Sequence, residues 1–88
     1  MFRIEFTDTA DKQFSELDKF TQSQIAKFIN KNLENSADPR RVGKALKSQY
    51  KGLWRYGVGK YRLICNIEDD ILRILVVKVG HRRDVYRV

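Results

Sequence analysis

The sequence predicts an α+β fold in the order β-α-α-β-β-β(-β), an N-terminal helical hairpin packed on one face of a mainly antiparallel sheet. Three observations carry that prediction. Residues 2–6 alternate apolar and polar side chains with period two. Two stretches between Ala10 and Leu33 repeat apolar residues at helical spacing. From Leu53 onward, alternating or apolar runs are separated by Gly57-Val58-Gly59 and by Asp69-Asp70. At 88 residues the chain is expected to be one domain, 1–88, at the low end of what folds around a single core.

Phe2-Arg3-Ile4-Glu5-Phe6 is the first strand, half-buried by its alternation. Thr7-Asp8-Thr9 offers helix N-caps, and Asp11 falls in the first turn, where the helix dipole favours an anion. Ala10, Phe14 and Leu17 then share one face of a short helix. Asp18 stands at the start of the next helix, whose apolar face is Ile25, Phe28, Ile29 and Leu33. Asn35-Ser36-Ala37-Asp38-Pro39 ends it, because the residue before a proline is pushed out of the α region. Residues 40–52 read as a long basic loop with Val42, Ala45, Leu46 and Tyr50 as inward anchors. Leu53 to Tyr56 is the next strand. Tyr61 to Ile67 follows, with Tyr61, Leu63, Cys65 and Ile67 on one face and Arg62, Ile64 and Asn66 on the other. Ile71 to Val79 is nearly all apolar, as a strand covered on both faces would be. If Trp54 and Tyr56 pack inward, Arg55 shares the open face with Arg62.

Composition narrows the partners. The chain carries a formal charge of +7, spread unevenly: residues 1–38 hold five Lys/Arg and seven Asp/Glu, whereas residues 39–88 hold thirteen and four. No acid separates Asp38 from Glu68, a segment that contains Arg40, Arg41, Lys44, Lys47, Lys51, Arg55, Lys60 and Arg62. Solvated surfaces normally mix signs, so this segregation points to a polyanion, nucleic acid first and an acidic protein second. A single cysteine, Cys65, excludes an internal disulfide and is expected to be a small buried hydrophobe. Arg3 and Glu5 interrupt the N-terminus before any apolar run, and the most apolar run is too short to span a bilayer. A cytoplasmic protein with no membrane contact is expected.

The chemistry-bearing residues cluster at the end of the chain. The strand before Gly80 leads into His81-Arg82-Arg83-Asp84-Val85-Tyr86, within the segment Lys78–Val88. Histidine is the side chain whose ordinary pKa suits proton transfer near neutrality. Arginine grips a phosphate through two parallel hydrogen bonds, and tyrosine can stack on a base. No acid or histidine cluster has metal-ligand spacing, so neither metal nor cofactor is expected.

Lys60-Tyr61-Arg62-Leu63, Leu53-Trp54-Arg55 before the glycine turn, and Val79-Gly80-His81-Arg82-Arg83-Asp84-Val85-Tyr86 together resemble the RelE/ParE superfamily of bacterial toxins from type II toxin–antitoxin modules. The ending is closer to the RelE branch. The resemblance implies a fold similar to small microbial ribonucleases and a metal-independent endoribonuclease. Such a toxin cleaves mRNA in the ribosomal A site by 2′-hydroxyl attack and is neutralised by a cognate antitoxin, through which alone it meets operator DNA. Carried over by position, the resemblance implies catalytic roles for Arg55, Arg62, Arg82 and Tyr86, with His81 where some members have lysine. Leu53 stands where the best-known pattern has lysine, which leaves the general base open. Phosphate clamping is expected of Arg62 and Arg82 with Arg55 in support, proton transfer of His81, and RNA or ribosome contact of Lys44, Lys47, Lys51, Lys60 and Arg83. Two other functions fit the same fold: a ParE-like inhibitor of DNA gyrase, and a nucleic-acid-binding domain without activity.

Overall fold

The computed structural model describes residues 1–86; Arg87 and Val88, the end of the basic C-terminal segment, lie outside the described residues. Strand β1 (Arg3–Phe6) leads into helices α1 (Asp8–Ser15) and α2 (Lys19–Asn32). Strands β2 (Lys44–Ala45), β3 (Trp54–Val58), β4 (Tyr61–Glu68) and β5 (Arg73–His81) follow. They form one five-stranded sheet in the order β1-β5-β4-β3-β2. The pairs β2–β3, β3–β4 and β4–β5 are antiparallel, and β1 runs parallel to β5. That parallel pair follows from the connection: two helices lift the chain off β1 before the sheet resumes.

Local chemistry sets the boundaries. The Thr7 side chain accepts a hydrogen bond from the Ala10 amide at 3.1 Å, and Asp8 and Asp11 occupy the first turn of α1. Asp18 stands at the N-cap position of α2, and the Gln22 side chain donates to the Phe14 carbonyl at 3.0 Å, tying the two helices together. The β4–β5 hairpin closes through a single helical turn, Asp69–Ile71, with Leu72 in the left-handed region at φ 53°. The apolar run therefore enters its strand at Arg73 rather than Ile71.

Both helices cover one sheet face, α1 over β5 and α2 over β3. Beneath them Ile25, Leu33, Tyr56, Leu63, Cys65, Ile74 and Val76 are fully buried. Cys65 is the small apolar filler its alternation predicted, and burial pushes its thiol well above the ordinary range. Burial likewise raises Tyr56, whose hydroxyl donates to the Pro39 carbonyl at 2.6 Å. The 40–52 segment is more structured than its irregular pattern predicted: β2 extends the sheet, and the Trp54 indole donates to the Val42 carbonyl at 2.8 Å. Ala45, expected inward, is exposed, because it lies on a two-residue edge strand beyond the cover of the helices.

At the β1 end of the open face, charges neutralise one another. Arg73 bonds Glu5 and Glu68, and Arg3 bonds Glu5 at 2.8 Å. Arg40 grips Asp69 through two bonds of 2.9 Å. The bonds from Arg3 and Arg73 lower the Glu5 pKa, that from Arg73 lowers Glu68, and that from Arg40 lowers Asp69. A depressed carboxylate stabilises the fold above its unfolded pKa and ceases to as pH falls through its folded value. The thermal midpoint is thus expected to fall on acidification below about pH 4.5, the ordinary carboxylate range, more shallowly in Arg73→Gln, as read by melting across pH 2–7. Leu63→Ala, which empties a fully buried site, is expected to cost about 2–5 kcal/mol in urea unfolding.

Candidate functional site

Register decides which side chains meet. In β3 and β4, Trp54 pairs with Cys65, Arg55 with Ile64, Tyr56 with Leu63 and Gly57 with Arg62. Between β4 and β5, Arg62 pairs with Gly80, Ile64 with Lys78 and Tyr61 with His81. Directly paired residues point to the same face. The face away from the helices therefore carries one row of Gly57, Arg62 and Gly80 and a second of Lys44, Arg55, Ile64 and Lys78. Arg55 and Arg62 thus share the open face, as alternation predicted.

Arg62 owes its position to two glycines. A methyl group at Gly57 would stand 2.8 Å from an Arg62 guanidinium nitrogen, so the guanidinium crosses β3 through the space that residue leaves. On the other flank, a Cβ at Gly80 would meet Val85 at 3.5–3.6 Å. Since Gly80 and Arg62 share a face, Val85 lies on that face too, beside the arginine row. Val85 and Ile64, both on this face, are each 2% exposed yet stand apart from the main core.

That turn is fastened at several points. The Arg82 amide donates to the Lys60 carbonyl at 2.7 Å, and the Asp84 and Val85 amides both donate to the His81 carbonyl, at 2.8 and 2.9 Å. The Tyr50 hydroxyl donates to the Tyr86 carbonyl at 3.0 Å, and the two rings lie 5.3 Å apart. Tyr86 remains 38% exposed, open to a ligand on one side.

Electrostatically this end of the face is the reverse of the other. Among the described residues, Arg55, Arg62, Arg82 and Arg83 have no carboxylate within ion-pair distance. Arg55 and Arg62 are only partly exposed. Partly desolvated cations without an internal counterion attract an external anion more strongly than freely solvated ones. Lys44, Lys47, Lys51, Lys60 and Arg83 are all exposed; Lys44 stands in the Arg55 row, Lys60 in the β3–β4 turn. No group of three His, Cys, Asp or Glu side chains placed to hold a metal occurs among the described residues. Nor is any helix long and apolar enough to cross a membrane.

The expected roles, phosphate clamping for Arg62 and proton transfer for His81, require the two together, and the register separates them. His81 pairs with Tyr61, whose ring meets the imidazole edge-on at 5.5 Å and packs against the main core. The imidazole is therefore on the helical face at the end of β5, across the sheet from Arg62. Its Nδ1 accepts the Arg83 amide at 3.1 Å, which places the proton of the neutral ring on Nε2. A slip of one strand position divides neighbours in sequence between two faces. Three residues missed by spacing contribute: Lys78, brought into the Arg55 row; Tyr50, which holds Tyr86; and Gly57, which makes room for Arg62. The alternation of β4 with Gly57 read as a strand residue, not a turn residue, would have revealed the last.

The fold is thus a small α+β domain with helices on one sheet face and, on the other, an arginine cluster that no carboxylate among the described residues pairs. Residues 4–86 match the family model described as the ParE toxin of the type II toxin–antitoxin system parDE, and the chain belongs to that family, within the RelE/ParE superfamily. The chain is 31% identical over 86 residues to Toxin RelG of Mycobacterium tuberculosis, covering 98% of this chain and 97% of that one. It is 34% identical over 89 residues to a putative RelE-like toxin protein of Escherichia coli, covering 99% and 92%. Its fold is similar to a chain of the toxin–antitoxin complex RelBE2 from Mycobacterium tuberculosis, with a TM-score of 0.82, 30% identity, and coverage of 92% and 98%.

Gly57→Ala is expected to leave unfolding free energy within about 1 kcal/mol, since only the flexible end of Arg62 must shift. The same change is expected to move the Arg62 Nε–Hε resonance in NMR, whereas Gly80→Ala, in ordinary contact with Val85, leaves it nearly in place.

Proposed function

We propose that this toxin is a ribosome-dependent endoribonuclease that cleaves mRNA in the A site and is held inactive by a cognate antitoxin. The observation that carries the reading is the placement of two partly buried arginines, Arg55 and Arg62, uncompensated among the described residues, in neighbouring rows of a face bordered by the turn that bears Arg82 and Tyr86. RelE-type names among the relatives support it, as does the likeness to a toxin solved with its antitoxin.

In-line attack by a ribose 2′-hydroxyl builds negative charge on the scissile phosphate and then on the departing 5′-oxygen. Preorganised cations aimed at that charge lower the barrier most when they need no reorganisation. Arg62, held between Gly57 and Gly80, is assigned to the non-bridging oxygens, with Arg55 beside it and Arg82 closing from the turn. Tyr86, fixed from behind by Tyr50, stacks on the adjacent base and orients the ribose hydroxyl. His81, on the other face, takes a supporting place at the strand end; solvent water takes the proton of the attacking 2′-hydroxyl and returns one to the leaving 5′-oxygen, while the arginines hold the charge that develops between the two transfers. Lys44, Lys47, Lys51, Lys60 and Arg83 bind ribosomal RNA as solvated cations, with salt-dependent affinity.

A second reading, inhibition of DNA gyrase, is favoured by one observation, the match to the ParE toxin model. Cell-free translation with end-mapping of the message, run beside a supercoiling assay, separates the two. The nuclease reading expects cuts within codons and unaffected supercoiling. Arg62→Ala is expected to lower the cleavage rate by roughly 10²–10³-fold, in proportion to the loss of one preorganised charge donor, and His81→Ala by less than about tenfold. Intact message with inhibited supercoiling would replace this reading with the second.

A further inference from the structure

The helical side of the sheet ends in a polar cavity that phosphate gripping on the opposite face leaves unused. It measures about 430 Å³ and is lined by Tyr61, His81, Arg83 and Asp84. Tyr61 opens β4, His81 closes β5, and the other two belong to the turn that follows. No aliphatic side chain is among its lining residues, so an apolar ligand has little to pack against. Backbone hydrogen bonds hold its walls in place: the Arg82 amide donates to the Lys60 carbonyl at 2.7 Å, and the Asp84 and Val85 amides donate to the His81 carbonyl at 2.8 and 2.9 Å. A site built in advance binds without the cost of ordering it.

Three donor groups of the lining are unused. The His81 Nδ1 accepts the Arg83 amide at 3.1 Å, so the neutral ring carries its proton on Nε2, and nothing among the described residues accepts it. The Tyr61 hydroxyl and the Arg83 guanidinium likewise have no partner among the described residues. The Tyr61 ring meets the imidazole edge-on at 5.5 Å and restrains its plane. Against these donors stands one carboxylate, the exposed Asp84. A bare anion would be drawn by the donors and repelled by Asp84. A ligand with a phosphate at one end and hydroxyls at the other satisfies both, because a carboxylate offers about four acceptor positions and adds a hydroxyl to whatever it already holds.

We infer that this cavity is a ribonucleotide site, in which Arg83, His81 and Tyr61 take the phosphate and Asp84 takes the ribose hydroxyls. The arginine fork matches two phosphate oxygens, and the imidazole and the phenol add single donors from β5 and β4. A carboxylate that accepts from ribose hydroxyls is a recurrent device, and the 2′-hydroxyl is what separates RNA from DNA at a given site. One turn serves both places: Arg82 and Tyr86 border the arginine face, and Arg83 and Asp84 wall the cavity. The choice of a nucleotide among phosphorylated polyols rests on the RNA reading of the arginine face. Its source is either one unit of an RNA strand or a free mononucleotide.

The test follows the His81 ring protons and the Arg83 and Asp84 amides by NMR in the whole chain. Adenosine 5′-monophosphate is expected to shift them saturably, with a Kd below about 1 mM. Its 2′-deoxy form is expected to bind about three- to tenfold more weakly, the worth of one hydrogen bond. Asp84→Ala is expected to bring that ratio to about one, and Arg83→Gln to weaken both ligands roughly tenfold or more. If Arg83→Gln does not fold, the comparison of the two sugars on the unaltered chain carries the test. A four-residue RNA that binds here more tightly than the mononucleotide assigns the site to a strand, and the reverse order to a free nucleotide; both support the inference. No shift at these residues up to about 10 mM ligand overturns it. So does equal binding of the ribo and deoxy forms, or a shift confined to the Arg55 and Arg62 side chains. The assay contains no ribosome and no message, so its failure leaves the nuclease reading untouched, and intact message in cell-free translation leaves a measured ribose preference standing.

Discussion

Arg62 is a long cation laid across a sheet where two neighbours lack side chains. Gly57 and Gly80 stand either side of it in the same row, and only the first is free to receive its guanidinium, because Val85 has taken the space above the second. This steric division orients the arginine without an acidic partner. Most proteins orient a buried cation with a carboxylate, which also cancels its charge. Here the positioning is steric, so the charge stays available to an external phosphate.

The same face shows the usual alternative a short distance away. Arg73 is bonded by Glu5 and Glu68, and Arg3 by Glu5, so the charges at that end cancel. Charge is therefore graded along the open face, from compensated pairs near β1 to uncompensated arginines near β3. A polyanion meets attraction only at the second end, where the turn that carries Arg82 and Tyr86 folds over Val85. Tyr50, from the loop before β3, closes that turn from behind. The segment that looked irregular in sequence thus does positional work for the end of the chain.

Much of this was legible in the residues themselves. Alternation from Tyr61 to Ile67 identified the buried and open faces of β4, and the pairing of Arg55 with Ile64 agrees with it. Helical spacing located both helices, and Thr7 caps the first as its side chain allows. What stayed hidden depends on register and on contacts distant in sequence. The roles expected of them grouped His81 with Arg62, but adjacent positions along a strand face opposite ways, and pairing with Tyr61 settles which way His81 goes. The irregular register where Ile64 pairs with Lys78 but Cys65 with Val76 brings Lys78 into the arginine row, and nothing in a run of apolar residues announces such a bulge. The two-residue β2 was too short for any period to show. The contact between Tyr50 and Tyr86 spans 36 residues and has no local signature.

Attack by the ribose oxygen leaves a chemical mark that no other route to a broken message shares. Message recovered from translating ribosomes exposed to the free toxin should end, at each new cut, in a 2′,3′-cyclic phosphate facing a 5′-hydroxyl, and Arg62→Ala should suppress those ends. Fragments bearing 3′-hydroxyls and 5′-phosphates, or message that stays whole while translation stops, would contradict a phosphate-gripping arginine face as the seat of the toxin's action.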